Sequence, residues 1–406
     1  MIIFVIFFIA GILGKFTFGD KLTDAIIDQC VAHLDHADLD SIYKFIINRN
    51  DFTDYCFQLY FIHASTHLPV FLSVILLNSL WIFLALKVSC RLLFLPFRLP
   101  RNLLSIYMMF PLSLFGILPF SFRDSYLLGL TILSLAAFAL IIERPFSISL
   151  WLYISILLIL IARSRLELLP ILIVCLILSW VITRYTTLTL NRLVFNTLDR
   201  FRKLFTSLRF KLSIPKRLNS RIIAIYLSIA VISAAIAPKA LDYMMSRLIS
   251  TNDATDILSK VFDYQVNRIS RGIDSGSATD VLAPDEFANA TFEKRFTLQL
   301  LNNIFTPLKI FPVAWPKLLA LADSFAFITL WFFLLRQYFR ISKSFNQYEH
   351  SSRLNRPIVF QCWSIITLLA FSVIISNGGN AFRYKSFWAV PLTLGLASEL
   401  HIYKKR

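Results

Sequence analysis

Apolar residues in this chain come in blocks separated by short polar or charged joints. The blocks are close to the ~20 residues that a helix needs to cross about 30 Å of hydrocarbon. Ten such segments are predicted, at 2–18, 68–90, 102–120, 125–142, 146–162, 166–183, 222–238, 318–335, 358–376 and 387–402. Backbone groups in lipid must bond within their own segment, so each is read as a helix. The expected fold is all-α, a polytopic membrane protein of about ten transmembrane helices forming one integral domain over 1–406. Pro111, Pro119, Pro170 and Pro391 interrupt spans, which predicts kinks or breaks there.

The joints carry the orientation. Segment 184–221 holds Arg184, Arg192, Arg200, Arg202, Lys203, Arg209, Lys211, Lys216, Arg217 and Arg221 against one acid, Asp199. Basic residues also dominate 87–101, 336–357 and the tail Lys404-Lys405-Arg406. Placing these in the cytosol gives strict alternation over ten spans, with both termini cytoplasmic. The first apolar run lacks a basic leader and a small-residue cleavage site, so it is expected to stay as a helix. The first outward loop, 15–67, is then acidic, with Asp20, Asp24, Asp28, Asp35, Asp38, Asp40, Asp51 and Asp54. Leu22, Ile26, Ile27 and Cys30, then Leu39, Ile42, Tyr43 and Ile46, predict short amphipathic helices within it. A large outward loop covers 239–317. It has an amphipathic stretch from Tyr243 to Ile269, and its Pro307, Pro312 and Pro316 suggest a re-entrant or surface-lying segment at 304–317.

Composition agrees. Of 406 residues, 57% are apolar and 16% charged, below the ~25% charged of soluble domains. A net charge of +17 would suggest nucleic acid in a soluble chain; here it is mostly cytosolic loop charge, and no nucleic-acid partner is expected. Five cysteines make no disulfide framework, although Cys30 and Cys56 share the outward loop and can pair.

The informative residues are charges at the outward helix ends, because lipid penalises them. Arg123 and Asp124 sit between spans three and four with almost no loop. Arg163, Arg165 and Glu167 fill the connection between spans five and six. Arg268 and Arg271 precede Gly272-Ile273-Asp274-Ser275-Gly276-Ser277 in the large loop, and Arg383 and Lys385 follow Asn377-Gly378-Gly379-Asn380. Arginines are disfavoured in short outward connections, so a shared anion is a physical reason for them. A guanidinium fork suits phosphate oxygens, and several forks can share one pyrophosphate. The glycine turn beside Arg383 would bring backbone N–H groups to the same anion. The plainer alternatives are snorkelling, the better reading for Lys385, and local ion pairs.

Other signals are weaker. His33-x-Asp35-His36 has metal-ligand residue types without a second cluster, so no metal and no cofactor are expected. His63 and His67 lie one helical turn apart and are read mainly as interfacial packing. Asp323 inside span eight is read as a buried acid or a packing polar. Asn289-Ala290-Thr291 has the form of a glycosylation acceptor. No Walker loop, dinucleotide glycine fingerprint, HExxH or GxSxG occurs.

The arrangement resembles the bacterial Wzy-type polysaccharide polymerases and EpsG-like exopolysaccharide membrane proteins. It rests on Asp40-Ser41-Ile42-Tyr43 after the first helix, Phe122-Arg123-Asp124-Ser125-Tyr126-Leu127, Arg163-Ser164-Arg165-Leu166-Glu167, the late loop with Arg268 and Arg271, and Asn377-Gly378-Gly379-Asn380-Ala381-Phe382-Arg383-Tyr384. The resemblance implies a GT-C-like helical architecture in the bacterial inner membrane and an inverting glycosyl transfer on the periplasmic side. A growing glycan on undecaprenyl diphosphate would move onto another lipid-linked repeat unit, with membrane lipid and other polysaccharide-assembly proteins as further partners. Arg123, Arg163, Arg165, Arg268, Arg271 and Arg383 would hold the diphosphate, where preorganised charge stabilises the departing group. Asp124, Glu167 and Asp274 are the carboxylates available as a general base; the outward catalytic histidine of the related O-antigen ligases has no counterpart here. Rival readings are a flippase or other transporter of lipid-linked oligosaccharide, a glycosyltransferase using a polyprenyl-phosphate sugar, a membrane acyltransferase, and a non-enzymatic subunit docking through 184–221.

Overall fold

The computed structural model describes residues 4–5, 8–9, 11–12, 53–93, 95, 124–164, 168–181, 286, 289–305, 318, 321–332, 355–374 and 378–404, and among them every regular element is a helix. In chain order these are α1 (Thr53–Thr66), α2 (Val70–Leu92), α3 (Asp124–Glu143), α4 (Ile148–Ser164), α5 (Leu168–Val181), α6 (Phe292–Phe305), α7 (Leu321–Phe332), α8 (Asn355–Ile374) and α9 (Gly378–Lys404). Among the described residues three stretches are long and apolar enough to cross a membrane, Val70–Leu92, Asp124–Glu143 and Arg356–Val373. Shorter apolar helices run over Ile148–Ala162, Leu168–Val181 and Leu321–Phe332. The expected spans 102–120 and 222–238 and the basic segment 184–221 lie outside the described residues.

The centre of the bundle is α3. Its apolar window is 89% buried, against 50% for α2 and 44% for α8, so α3 is surrounded by protein while the other two keep one face outward. Helices α2, α4, α8 and α9 pack around it. Gly129 sets the approach of α2, since a Cβ there would lie 3.2 Å from the Trp81 carbonyl oxygen. Four hydroxyl residues of these apolar helices bond their own backbone. Ser134, Ser364, Ser372 and Thr393 each donate to the carbonyl four residues earlier, which lets a hydroxyl sit in an apolar core. Between α5 and α8, the Cys175 thiol lies 3.8 Å from the Val359 carbonyl oxygen.

Two differences from the sequence reading concern α9. The stretch Gly378-Gly379-Asn380, expected as a glycine turn, is the first turn of the helix. Pro391, expected to kink or break the span, lies inside a helix that continues to Lys404, so the helix is not broken there. A proline cannot donate to the carbonyl four residues back, here that of Phe387. The gap is filled from α8, where the Trp363 indole N–H donates to the Phe387 carbonyl at 2.6 Å. One turn further on, Gly395 allows α8 to come close, because a Cβ would meet Gln361 Cγ at 2.9 Å.

Helices α1 and α6 fall in the two outward segments expected to hold short amphipathic helices, but at positions other than those the spacing picked out. α1 packs on α2 through buried Tyr55 and Leu59, and α6 packs on α8 and α9. His63 lies in the last turn of α1, and its Nδ1 lies 2.7 Å from the Leu68 carbonyl oxygen, so the ring shapes the α1–α2 corner; His67, with φ 52°, makes the turn.

Candidate functional site

The direction of each helix decides which side chains can meet. At one end, Arg356 of α8 clamps the last turns of α2 and α3. Its Nε and Nη2 donate to the two Glu143 carboxylate oxygens, each at 2.6 Å, and its Nη1 donates to the Leu92 carbonyl at 2.7 Å. Ser398 Oγ donates to the neighbouring Leu93 carbonyl at 2.8 Å, bringing the end of α9 to the same place. The opposite end therefore collects the start of α3 at Asp124, the end of α8 and the start of α9. The four-residue corner 144–147 folds α4 back along α3, so Ser164 also finishes at the Asp124 end.

Sequence reasoning put arginines at these helix ends. Arg123 immediately precedes Asp124, Arg163 is the penultimate residue of α4, and Arg383 lies in the second turn of α9. Three separate stretches of chain thus bring the helix ends that adjoin or contain these arginines to one end of the bundle. Arg123, Arg165, Glu167, Arg268, Arg271 and Asp274 themselves lie outside the described residues.

Asp124 is fully buried in the first turn of α3, where the helix dipole favours a negative charge. Beside it Tyr126 is packed between Tyr55 (ring centroids 5.6 Å) and Trp81 (5.0 Å, edge-on). Tyr55 donates its hydroxyl to Asn78 Oδ1 at 3.0 Å, and Trp81 Nε1 donates to Gln58 Oε1 at 2.7 Å. These contacts hold α1 and α2 against the Asp124 end. The neighbouring Cys56 is disulfide-bonded, while Cys90, Cys175 and Cys362 are free. Cys30, expected from the sequence as able to pair with Cys56, lies outside the described residues.

Lys385 corrects the reading of the sequence. It does not snorkel: it is fully buried, about 10 Å along α9 from Gly378 at 1.5 Å per residue. Its ammonium donates to Ser324 Oγ at 2.8 Å, lies 3.5 Å from Asp323 Oδ2 and stands 5.3 Å over the Phe327 ring. Phe327 in turn meets Trp388 edge-on, so α7 and α9 run side by side in the same direction. A buried cation and acid at this depth are held by each other and by a ring face.

Sequence reasoning missed the amides of α6. Gln299, Asn302 and Asn303 are all buried, and Asn303 Nδ2 donates to Ser372 Oγ near the end of α8 at 3.2 Å. Their i, i+3, i+4 spacing puts them on one helix face, a signal that was legible once 292–305 is read as a helix. Among the described residues no group of three or more His, Cys, Asp or Glu is placed to hold a metal ion. No family model matches the chain, and neither the curated proteins nor the solved structures contain a detectable match to it.

Proposed function

We propose that this chain is a multi-pass glycosyltransferase of the bacterial inner membrane, with about ten spans and both termini in the cytosol. In this reading it polymerises undecaprenyl-diphosphate-linked oligosaccharide repeat units into a surface polysaccharide on the periplasmic side. The observation that carries the reading is the convergence of helix ends: the segments bearing Arg123, Arg163 and Arg383 share the end that also holds buried Asp124. Leaving of a lipid diphosphate concentrates negative charge, and cations fixed in advance at that place lower the barrier. Arg165, Arg268 and Arg271 belong to the same diphosphate site in this proposal, and Asp124, Glu167 or Asp274 takes the acceptor hydroxyl proton.

The orientation has support from chemistry at both ends. Arg91, Arg144 and Arg356 gather at the clamp end, as positive residues do on the cytosolic side. The disulfide at Cys56 belongs to the Asp124 end, and disulfides persist in an oxidising compartment such as the periplasm.

A deletion strain tests the proposal. Loss of a polymerase leaves single repeat units on the cell surface in place of a ladder. A second reading, transport of the lipid-linked oligosaccharide, draws on the Lys385–Asp323 pair, since ionisable groups inside a bundle mark transport pathways in many membrane proteins. It predicts that no repeat unit reaches the surface at all.

A further inference from the structure

The outer part of α9 is set apart from the rest of the helix. Pro391 offers no N–H to the Phe387 carbonyl, so residues 378–387 join the remainder through one backbone hydrogen bond fewer, at the kind of position where helices bend. The first turn, Gly378-Gly379-Asn380, is built from residues that hold a helix weakly. The direction of this outer segment therefore depends on what it grips in its neighbours. Toward α8, the Phe387 carbonyl takes the Trp363 indole N–H at 2.6 Å, and the Tyr384 ring meets Phe371 with centroids 5.5 Å apart. Toward α7, the Lys385 ammonium donates to Ser324 Oγ at 2.8 Å and lies 3.5 Å from Asp323 Oδ2.

The α7 contact bears on Arg383, which belongs to the same segment. Positions 383 and 385 are about 200° apart around a helix, so with Lys385 turned to α7, position 383 lies on the side away from α7. A slip of the segment by one residue would carry it round by about 100°. Apolar contacts are non-directional and tolerate such a slip. An ammonium held between a hydroxyl, a carboxylate and the face of Phe327 does not. A buried ion pair commonly adds no more stability than apolar side chains of the same size. What this one adds is direction.

We infer that Lys385 and Asp323 are positioning residues, which aim the outer segment of α9 so that Arg383 meets the departing diphosphate. This rests on the polymerase reading and deepens it by naming what sets one of its arginines. In this role neither side chain touches the substrate; both act through Arg383.

The test uses the purified full-length protein and, as probe, the lipid-linked single-repeat material extracted from the deletion strain. Polymer formation against probe concentration and the thermal unfolding midpoint are measured for four proteins. These are the wild type, Lys385→Met with Asp323→Leu, Arg383→Lys, and all three changes together. The apolar double variant is expected to unfold near the wild-type midpoint yet to lose roughly ten- to a hundredfold in kcat, with KM within about threefold, as for a misplaced catalytic group. Adding Arg383→Lys is expected to cost nothing beyond the larger of the two separate losses, because the fork is already misaimed. If the double variant does not fold, Lys385→Met with Asp323→Asn takes its place under the same criteria. A kcat within about twofold of the wild type in a folded double variant overturns the positioning role. Losses that multiply when Arg383→Lys is added overturn it too, and both results leave the polymerase reading intact. A wild-type protein that makes no polymer from this probe overturns both.

Discussion

The Lys385 ammonium lies 3.5 Å from Asp323 Oδ2 with neither side chain more than 1% exposed, joining α7 to α9 across 62 residues of sequence. Removing one member leaves the other charge buried and uncompensated, at a cost of about 3–5 kcal/mol. Lys385→Met and Asp323→Leu are each expected to lower the unfolding midpoint in detergent strongly, and the double variant to recover most of the loss. A double variant as unstable as the worse single one would mean that the pair is not the energetic unit. The transport reading makes a different prediction, since it loses translocation even in a stable double variant.

Trp363 and Phe387 form a second relationship with a measurable consequence. The indole supplies the hydrogen bond that Pro391 withholds from the Phe387 carbonyl. Trp363→Phe keeps an aromatic ring but leaves that carbonyl without its donor, and is expected to destabilise by about 1–3 kcal/mol. Pro391→Ala in the same background restores a backbone N–H at position 391 and is expected to return part of the stability. Thermal unfolding of the wild type, the Trp363→Phe variant and the double variant in one detergent measures both effects.

Close packing at Gly395 gives a third prediction. An added Cβ would stand 2.9 Å from Gln361 Cγ and 3.0 Å from the Pro357 carbonyl oxygen. Gln361 is not free to swing away cheaply, because its Nε2 donates to Glu399 Oε2 at 2.8 Å. Gly395→Ala is expected to cost about 1–3 kcal/mol through overpacking, and Gly395→Val more. An alanine variant with an unchanged unfolding midpoint would show that α8 and α9 are not held at this spacing.

The orientation is open to chemical labelling. Ala64 is exposed beside the α1–α2 corner, and Arg144 is exposed in the α3–α4 corner at the clamp end. Ala64→Cys is expected to react with a membrane-impermeant maleimide in spheroplasts, whereas Arg144→Cys reacts only after permeabilisation. The reverse pattern would place the arginine-bearing helix ends in the cytosol and remove the periplasmic reaction.

What the sequence made legible was what apolar blocks encode. The boundaries 68–90, 125–142, 146–162, 166–183 and 358–376 lie within a few residues of α2, α3, α4, α5 and α8. Helices α1 and α6 were harder to see because both are short and mix polar with aromatic residues, so hydropathy does not separate them from loop. Gly378-Gly379 read as a turn because glycine disfavours helix interiors, a preference that carries less weight in a first turn. The fate of Lys385 could not be read locally: whether a lysine snorkels or is buried depends on a partner, and Asp323 lies on a different helix. The Arg356–Glu143 clamp is hidden for the same reason, with 213 residues between its members. The candidate arginines came from sequence alone, and the structure adds that the helix ends next to three of them lie together.

The central claim is that these arginines act on one lipid diphosphate, and the polysaccharide ladder measures it most directly. A deletion strain carrying Arg123→Ala, Arg165→Ala or Arg383→Ala, each at wild-type membrane abundance, is expected to make single repeat units, with partial ladders from the Arg→Lys forms that keep charge but lose the fork. Full-length ladders from all three alanine variants would contradict the account.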